Sequence, residues 1–245
     1  MELQSRICPK EDAQRVFRVL QKGGVAIVPL EVGYGAIAID AEALDRIFMA
    51  KKRRPHKRHA MIGTYALHCE IHDLPPYEAD IVKLLTVDLE IPLGVVAPYN
   101  ADHPILKRIS PTLLAQSSMN DTLAMLVTCG QLQDELSRLA SREEIPLLGS
   151  SANSTGTGTK VTVEDIELEI KKASDIIINY GRQKYSHPRH SSTMIDFKNH
   201  KILRYGACYD VVQDALSRFY GIRFPDDPGK ENLFSGHISL ETSQW

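Results

Sequence analysis

The run Leu147-Leu148-Gly149-Ser150-Ser151-Ala152-Asn153-Ser154-Thr155-Gly156 constrains this chain more than any other segment. An apolar strand opens there into a loop of small, hydroxyl- and amide-bearing residues, and the pattern predicts a helix after it. Small side chains let an anion approach backbone N–H groups closely, so such a loop suits a phosphate. The run lacks G-x-x-x-x-G-K-[ST], so it is no P-loop, and the chain has no G-x-G-x-x-G. Far upstream lies a basic stretch, Lys51-Lys52-Arg53-Arg54-Pro55-His56-Lys57-Arg58-His59. A phosphate-friendly loop and a cationic stretch in one chain point to a nucleotide or a nucleic acid.

The basic stretch is a local feature. The 29 Lys and Arg residues are outnumbered by 31 Asp and Glu, leaving a net charge of −2 and no global electrostatic case for nucleic acid. With 245 residues, 43% of them hydrophobic, the chain is long enough to bury a large core in one domain, expected over residues 1–220 with a polar tail at 221–245. No apolar run approaches the ~18 residues of a membrane span, and residues 1–10 lack the apolar core of a signal peptide. Four widely spaced cysteines without a C-x-x-C fit a reduced, cytoplasmic chain. His68, Cys69 and His72 are loosely spaced for a metal and lack a second ligand pair, so no metal site is expected. No G-x-S-x-G hydrolase elbow occurs.

Periodicity predicts interleaved helices and strands. Residues 11–23 read as a helix with the stripe Ala13, Val16, Phe17, Leu20, stopped by Gly23-Gly24. Strands follow at 25–29 and 36–39, then a helix N-capped by Asp40 that runs into the basic stretch and stops by Pro55, so that its last turn carries cations. Further helices are expected at 78–85, 104–116, 131–139 and 211–219, and one after a Thr162/Asp165 capping box. Further strands are expected at 60–65, 94–97, 122–128, 145–148 and 175–179, with a closing hairpin 192–197/201–204 turning at Asn199-His200. Some strands follow one another through short turns, which favours an α/β (α+β) fold with a twisted mixed sheet over a strictly parallel one.

In order along the chain, four segments resemble the YrdC-like family, whose best-known members are threonylcarbamoyl-adenylate synthases of tRNA modification. "KGGVAIVPLEVGYGAIAID" is similar to the family's opening strand and P-T-D-T-x-Y-G-L loop, with Pro29, Tyr34 and Gly35 retained. "IFMAKKRRP" resembles I-F-x-x-K-x-R-P. "LLGSSANSTG" resembles the S-A-N-x-S-G loop through Ser151 and Asn153, and "SSTMIDF…ILRYGA" the closing hairpin through Ser192, Thr193, Asp196 and Arg204. Aligned on the proline, K-x-R-P gives Lys52 and Arg54; aligned on the helix it gives Lys51 and Arg53. The proline fixes the exit of the chain and is the preferred anchor.

The resemblance implies a concave positive cavity that binds ATP with Mg²⁺. An amino-acid amine there captures bicarbonate, and the resulting carbamate attacks the α-phosphate to give a carbamoyl-adenylate and pyrophosphate. On that reading Lys52, Arg54, Ser151 and Asn153 are catalytic. Lys51, Arg53, Ser150, Ser192 and Arg204 hold the nucleotide, and Glu31, Tyr34 and Thr64 meet the small-molecule acceptor. The acceptor side departs from the family. Leu30, Glu31 and Val32 replace Thr, Asp and Thr, the strand histidine is missing from Ala60-Met61-Ile62-Gly63-Thr64, and Leu126 and Thr128 stand where the family has Arg and Pro. Losing that arginine removes the natural partner of a carboxylate. The expected function is therefore a carbamoyl-adenylate synthase acting on threonine or on a different amine. The alternative is a non-catalytic module for a nucleotide or double-stranded RNA.

Overall fold

A computed structural model describes residues 6–52, 58–186 and 190–229. In chain order its elements begin α1 Pro9–Leu20, β1 Ala26–Pro29, β2 Tyr34–Ala38, α2 Ala41–Ala50, β3 Ala60–Gly63, α3 Tyr65–Ile71, α4 Pro76–Lys83, β4 Leu93–Pro98, α5 Pro104–Lys107 and α6 Pro111–Ser117. They continue β5 Ser118–Met119, β6 Thr122–Val127, α7 Gln131–Arg142, β7 Leu148–Ser151, α8 Leu168–Lys172, β8 Ile176–Ile177, β9 Thr193–Asp196, β10 Lys201–Arg204 and α9 Tyr209–Tyr220. None of the helices is long and apolar enough to cross a membrane.

The strands form a single mixed sheet in the order β10-β9-β4-β6-β3-β7-β2-β1-β8, with β5 paired to β6. The β3–β6, β4–β9 and β1–β8 pairs are parallel and the remainder antiparallel. Alternation along each strand divides the core between the two faces. One face carries Ala26, Val28, Ile37 and Ile62 against Ala13, Val16, Phe17 and Leu20 of α1 and Leu132, Leu136 and Ala140 of α7. The other carries Ile27, Ala36, Met61, Val95 and Met125 against Leu44 and Ile47 of α2, Leu67 and Ile71 of α3 and Val212 and Leu216 of α9. Every residue of β1 and β2 is buried, which explains why these strands read as unbroken apolar runs.

Local signals act where they stand. Asp40 accepts the Ala43 N–H at 2.8 Å and starts α2. The β9–β10 hairpin forms with His200 at φ 53° in its turn. Elsewhere tertiary packing redraws the elements. The single helix expected over 104–116 is two, because Ser110-Pro111 restarts the chain and Ser110 caps α6 at the Leu113 N–H. The strand expected at 145–148 is shifted to Leu148–Ser151, so Ser150 and Ser151 sit in the sheet itself. Thr162 and Asp165 do meet, at 2.6 Å, but α8 starts only at Leu168 and the long stretch between is turns. The last turn of α2 holds no cation: the helix stops at Ala50 with Lys51 as its C-cap. The described start of the expected tail packs down, with Phe224 buried beside Tyr209, whose hydroxyl donates to the Pro225 carbonyl at 2.5 Å.

His68 and His72 lie one turn apart at the end of α3, both buried, with their Nδ1 atoms 2.7 Å apart. A carbonyl only accepts, so His72 Nε2, 3.1 Å from Leu123 O, carries the proton. His72 Nδ1 is then the acceptor and His68 Nδ1 the donor, and Cys69 points outward. Protonating His72 would set two N–H groups face to face. Burial lowers His68 to about 4, and burial with the His68 neighbour lowers His72 to about 3, although the Leu123 carbonyl opposes this.

Two outcomes follow. The unfolded chain binds protons at these imidazoles below pH ~6.5 while the folded chain resists until about 4 or lower, so stability is flat above ~6.5 and declines below it at up to ~1.4 kcal/mol per pH unit per group. Urea titrations from pH 7.5 to 4.5 check this, and replacing both histidines by glutamine should flatten the slope. At Gly149 a Cβ would meet the Ala36 carbonyl oxygen, so Gly149→Ala should cost about 1–3 kcal/mol in the same assay.

Candidate functional site

Strand pairing assembles the site. Antiparallel β2 and β7 place Gly35 opposite Ser151 and Ala36 opposite Ser150. The Ala152 N–H donates to the Tyr34 carbonyl at 2.7 Å, continuing the pairing beyond the strand. The loop after β1 is thereby held against the Ser/Asn loop after β7. Gly33, at φ +146°, lies so close to Thr159 and the Lys160 carbonyl that no side chain fits there, and the Tyr34 N–H donates to the same carbonyl at 2.8 Å.

The Ser/Asn loop also receives the end of α2. The Lys51 carbonyl accepts from the Thr155 N–H at 3.0 Å and the Thr155 hydroxyl at 2.9 Å. Lys51 is 1% exposed, and its Nζ donates to the Ser151 carbonyl. Lys52 turns away at φ 48° and is exposed. Of the two alignments left open by the sequence, the structure brings Lys51 rather than Lys52 to Ser151. Arg53 and Arg54 lie outside the described residues. Asn153, 6% exposed, donates Nδ2 to the Ser154 carbonyl at 2.7 Å, whereas its Oδ1 and the buried Ser150 Oγ have no hydrogen-bond partner.

Ser192 and Arg204 meet each other. Arg204 Nε donates to the Ser192 carbonyl at 2.7 Å and Nη2 to its hydroxyl at 2.9 Å. Burial lowers the guanidinium to about 10, with the Cys129 thiol acting in the opposite sense. Glu31, half-buried at φ 48°, lays its side chain over Gly130. Burial raises its carboxyl, Lys184 opposes, and Asp134 and Glu90 raise it further. The Tyr185 N–H binds the Glu31 carbonyl at 2.8 Å and the Ser191 N–H the Val32 carbonyl at 3.0 Å, closing this loop from its other side. Leu30, Val32, Ile62 and Cys129 form one buried apolar cluster, with Leu126 half-buried against it.

A family model for Sua5/YciO/YrdC proteins, described as "Telomere recombination", matches residues 18–206. The chain belongs to this family. A curated relative from Methanocaldococcus jannaschii, named "Putative threonylcarbamoyl-AMP synthase", is 39% identical over 59 residues, which is 24% of this chain and 27% of the relative. The match thus spans about a quarter of that relative's length. A hypothetical protein of Streptococcus mutans has a similar structure, with TM-score 0.71 and 19% identity over 86% of this chain and 92% of that one. P. abyssi Sua5, crystallised with L-threonine, gives TM-score 0.67 and 20% identity over 89% of this chain and 60% of that one. At these identities the structural likeness shows the fold, the mixed α/β sheet of Sua5 and YrdC proteins.

Two residues expected at the acceptor have other duties in this family member. Tyr34 is 0% exposed; its hydroxyl donates to the Gly181 carbonyl at 2.8 Å and accepts the Tyr180 N–H at 3.1 Å, so it anchors the loop from below. Thr64 caps α3 at the Leu67 N–H. The register Ala60↔Gly149, Met61↔Leu148 would set Thr64 opposite Ile145, six positions and roughly 20 Å along the strand from Ser151. Sequence reasoning missed Thr155, Lys160 and Glu167, which hold the Ser/Asn loop. Thr155 lay inside the quoted motif, whereas nothing in local pattern marks the other two. Tyr34→Phe should cost about 1–3 kcal/mol, because it removes the hydroxyl that bonds the half-buried Tyr180 N–H and the Gly181 carbonyl. It should leave nucleotide affinity unchanged, as denaturant titration and calorimetry will show.

Proposed function

We propose that the chain is an ATP-dependent carbamoyl-adenylate synthase, acting on L-threonine for tRNA modification or on a different amine. The supporting observation is the convergence of Lys51 with a Ser/Asn loop that buries Asn153 Oδ1 and Ser150 Oγ unbonded. Buried polar atoms without partners are costly, and these two lie within two residues of Ser151, whose carbonyl receives the Lys51 ammonium. The donor set fits ATP. Lys51 and the Ser150 and Ser151 hydroxyls supply charge and donors for phosphate, and Asn153 Oδ1 supplies an acceptor. Family membership and the name of the M. jannaschii relative point the same way.

In this reading bicarbonate and the acceptor amine condense to a carbamate with loss of water, and a carbamate oxygen attacks the α-phosphate while pyrophosphate leaves. The protein's part is to align a labile nucleophile with phosphorus and to stabilise the charge that develops. Mg²⁺ would travel with the nucleotide phosphates. The apolar cluster of Leu30, Val32, Ile62 and Cys129 favours one further reading, a nucleotide- or double-stranded-RNA-binding module without turnover. Nothing in that cluster would pair with an amino-acid carboxylate.

Pyrophosphate release from ATP and Mg²⁺, with and without bicarbonate, across threonine and a panel of amines, separates these outcomes. Bicarbonate-dependent release with one acceptor is expected, with mass spectrometry identifying the carbamoyl-adenylate. Lys51→Ala and Asn153→Ala should each lower kcat/KM at least tenfold, about 1.4 kcal/mol or more, and Lys52→Ala should lower it less. Unchanged turnover in the first two variants would sink the assignment. Salt-sensitive RNA binding without release would favour the module.

A further inference from the structure

Glu167 stands at the N-cap of α8, yet its carboxylate points back into the Ser/Asn loop. Its Oε2 accepts the Ser154 N–H at 3.3 Å; its Oε1 lies 2.8 Å from the Thr157 hydroxyl and 3.2 Å from Lys160 Nζ. Each contact leads to a residue already placed at the site. The Ser154 carbonyl, on the peptide unit following the one Glu167 grips, accepts Asn153 Nδ2 at 2.7 Å and the Thr157 N–H at 3.2 Å. Between them, Thr155 grips the Lys51 carbonyl with both its N–H and its hydroxyl. The Lys160 carbonyl receives the Tyr34 N–H and so carries the loop after β1. One carboxylate therefore ties together the loop that presents Asn153, the segment that fixes Lys51 and the residue that anchors the opening loop.

We propose that Glu167 is a positioning residue for the nucleotide site, acting through Ser154, Thr157 and Lys160 to set the Asn153 amide and the Lys51 segment in their binding arrangement. The proposal rests on the reading of this site as a nucleotide site. Burial pushes the Glu167 carboxyl up, but the bonds from Thr157, Lys160 and the Ser154 N–H outweigh it and hold the group below the usual carboxylate range. It is an anion at neutral pH, with most of its oxygen valence used inside the protein. A carboxylate near bound triphosphate would, by charge alone, repel it. Positioning and bare electrostatics thus predict opposite signs when it is removed.

Three variants and a control test this on the full chain. Glu167→Ala removes the acceptor, Glu167→Gln keeps one neutral acceptor for the Ser154 N–H but turns an NH2 donor toward Thr157 and Lys160, and Glu167→Asp keeps the charge on a shorter arm. Glu169→Ala removes an exposed carboxylate from the same helix. Calorimetry with ATP and Mg²⁺ should show at least tenfold weaker binding for Glu167→Ala, part of it recovered by Glu167→Gln through the Ser154 contact, and no loss for Glu169→Ala. Amide hydrogen exchange without ligand should show faster exchange across 153–157 in Glu167→Ala and an intermediate rate in Glu167→Gln. Affinity that is unchanged or tighter in Glu167→Ala overturns the proposal, as does unchanged exchange of the loop. Failure of the unaltered protein to bind ATP overturns the nucleotide reading instead, and the exchange data then decide by themselves whether Glu167 orders the loop.

Discussion

Everything at the candidate site depends on the close antiparallel contact between β2 and β7. Gly149 lets the two backbones approach until a methyl group would strike the Ala36 carbonyl. With that contact made, Gly35 lies opposite Ser151, and the loops leaving both strands emerge side by side at one end of the sheet. The chain could have reached the same proximity with two loops packed through side chains, but backbone ladders hold distance and register more tightly. Their rigidity lets a four-residue loop with a non-glycine residue at positive φ, Glu31, persist beside a second loop rich in flexible small residues.

The polar groups divide into those already satisfied and those left waiting. Arg204 and Ser192 satisfy each other, the Tyr34 hydroxyl is fully committed, and Glu167 gathers three donors. These are internal contacts that set backbone positions. Asn153 Oδ1 and Ser150 Oγ are of the second kind: among the described residues they belong to the few buried side-chain atoms without a hydrogen-bond partner, and they lie within two residues of Ser151. Net charge plays little part at this scale: at −2 the molecule attracts no anion as a whole, and Lys51 is set apart by being desolvated and aimed at Ser151, not by a basic surface.

Much of this was legible in the residues. The apolar stripe of α1, the Asp40 cap, the closing hairpin and the mixed sheet follow from periodicity and turn chemistry, which act over a few residues. The four motif segments pointed to the family because each combines small residues and charges in an order that packing alone does not require. The losses came where distance in sequence hides proximity in space. Ser150 and Ser151 read as loop residues but join β7, because β2 offers them a partner from more than a hundred residues away. Lys52 was preferred over Lys51 on the strength of Pro55. The decisive event, the left-handed turn at Lys52 that sends its side chain outward, comes where α2 stops. Glu167 carries no local signature, since it uses its carboxylate on residues 7 to 13 positions earlier instead of on its own helix.

The two halves of the site now differ in kind. On one side Lys51, Ser151 and Asn153 offer charge and hydrogen bonds held by backbone geometry. On the other, Leu30 and Val32, 7% and 4% exposed, are packed with Ile62 and Cys129 into continuous core. A carboxylate entering that region would lose its hydration, and among the described residues Arg204 already spends two nitrogens on Ser192. The carboxyls at its margin are Glu31 and Asp134, both raised by burial, with Lys184 opposing the first and Arg138 the second. Such an edge tolerates a neutral or cationic group better than an anion. The half that holds Lys51 and Asn153 makes no such distinction, because its groups are fixed by backbone geometry whichever group lies at that edge.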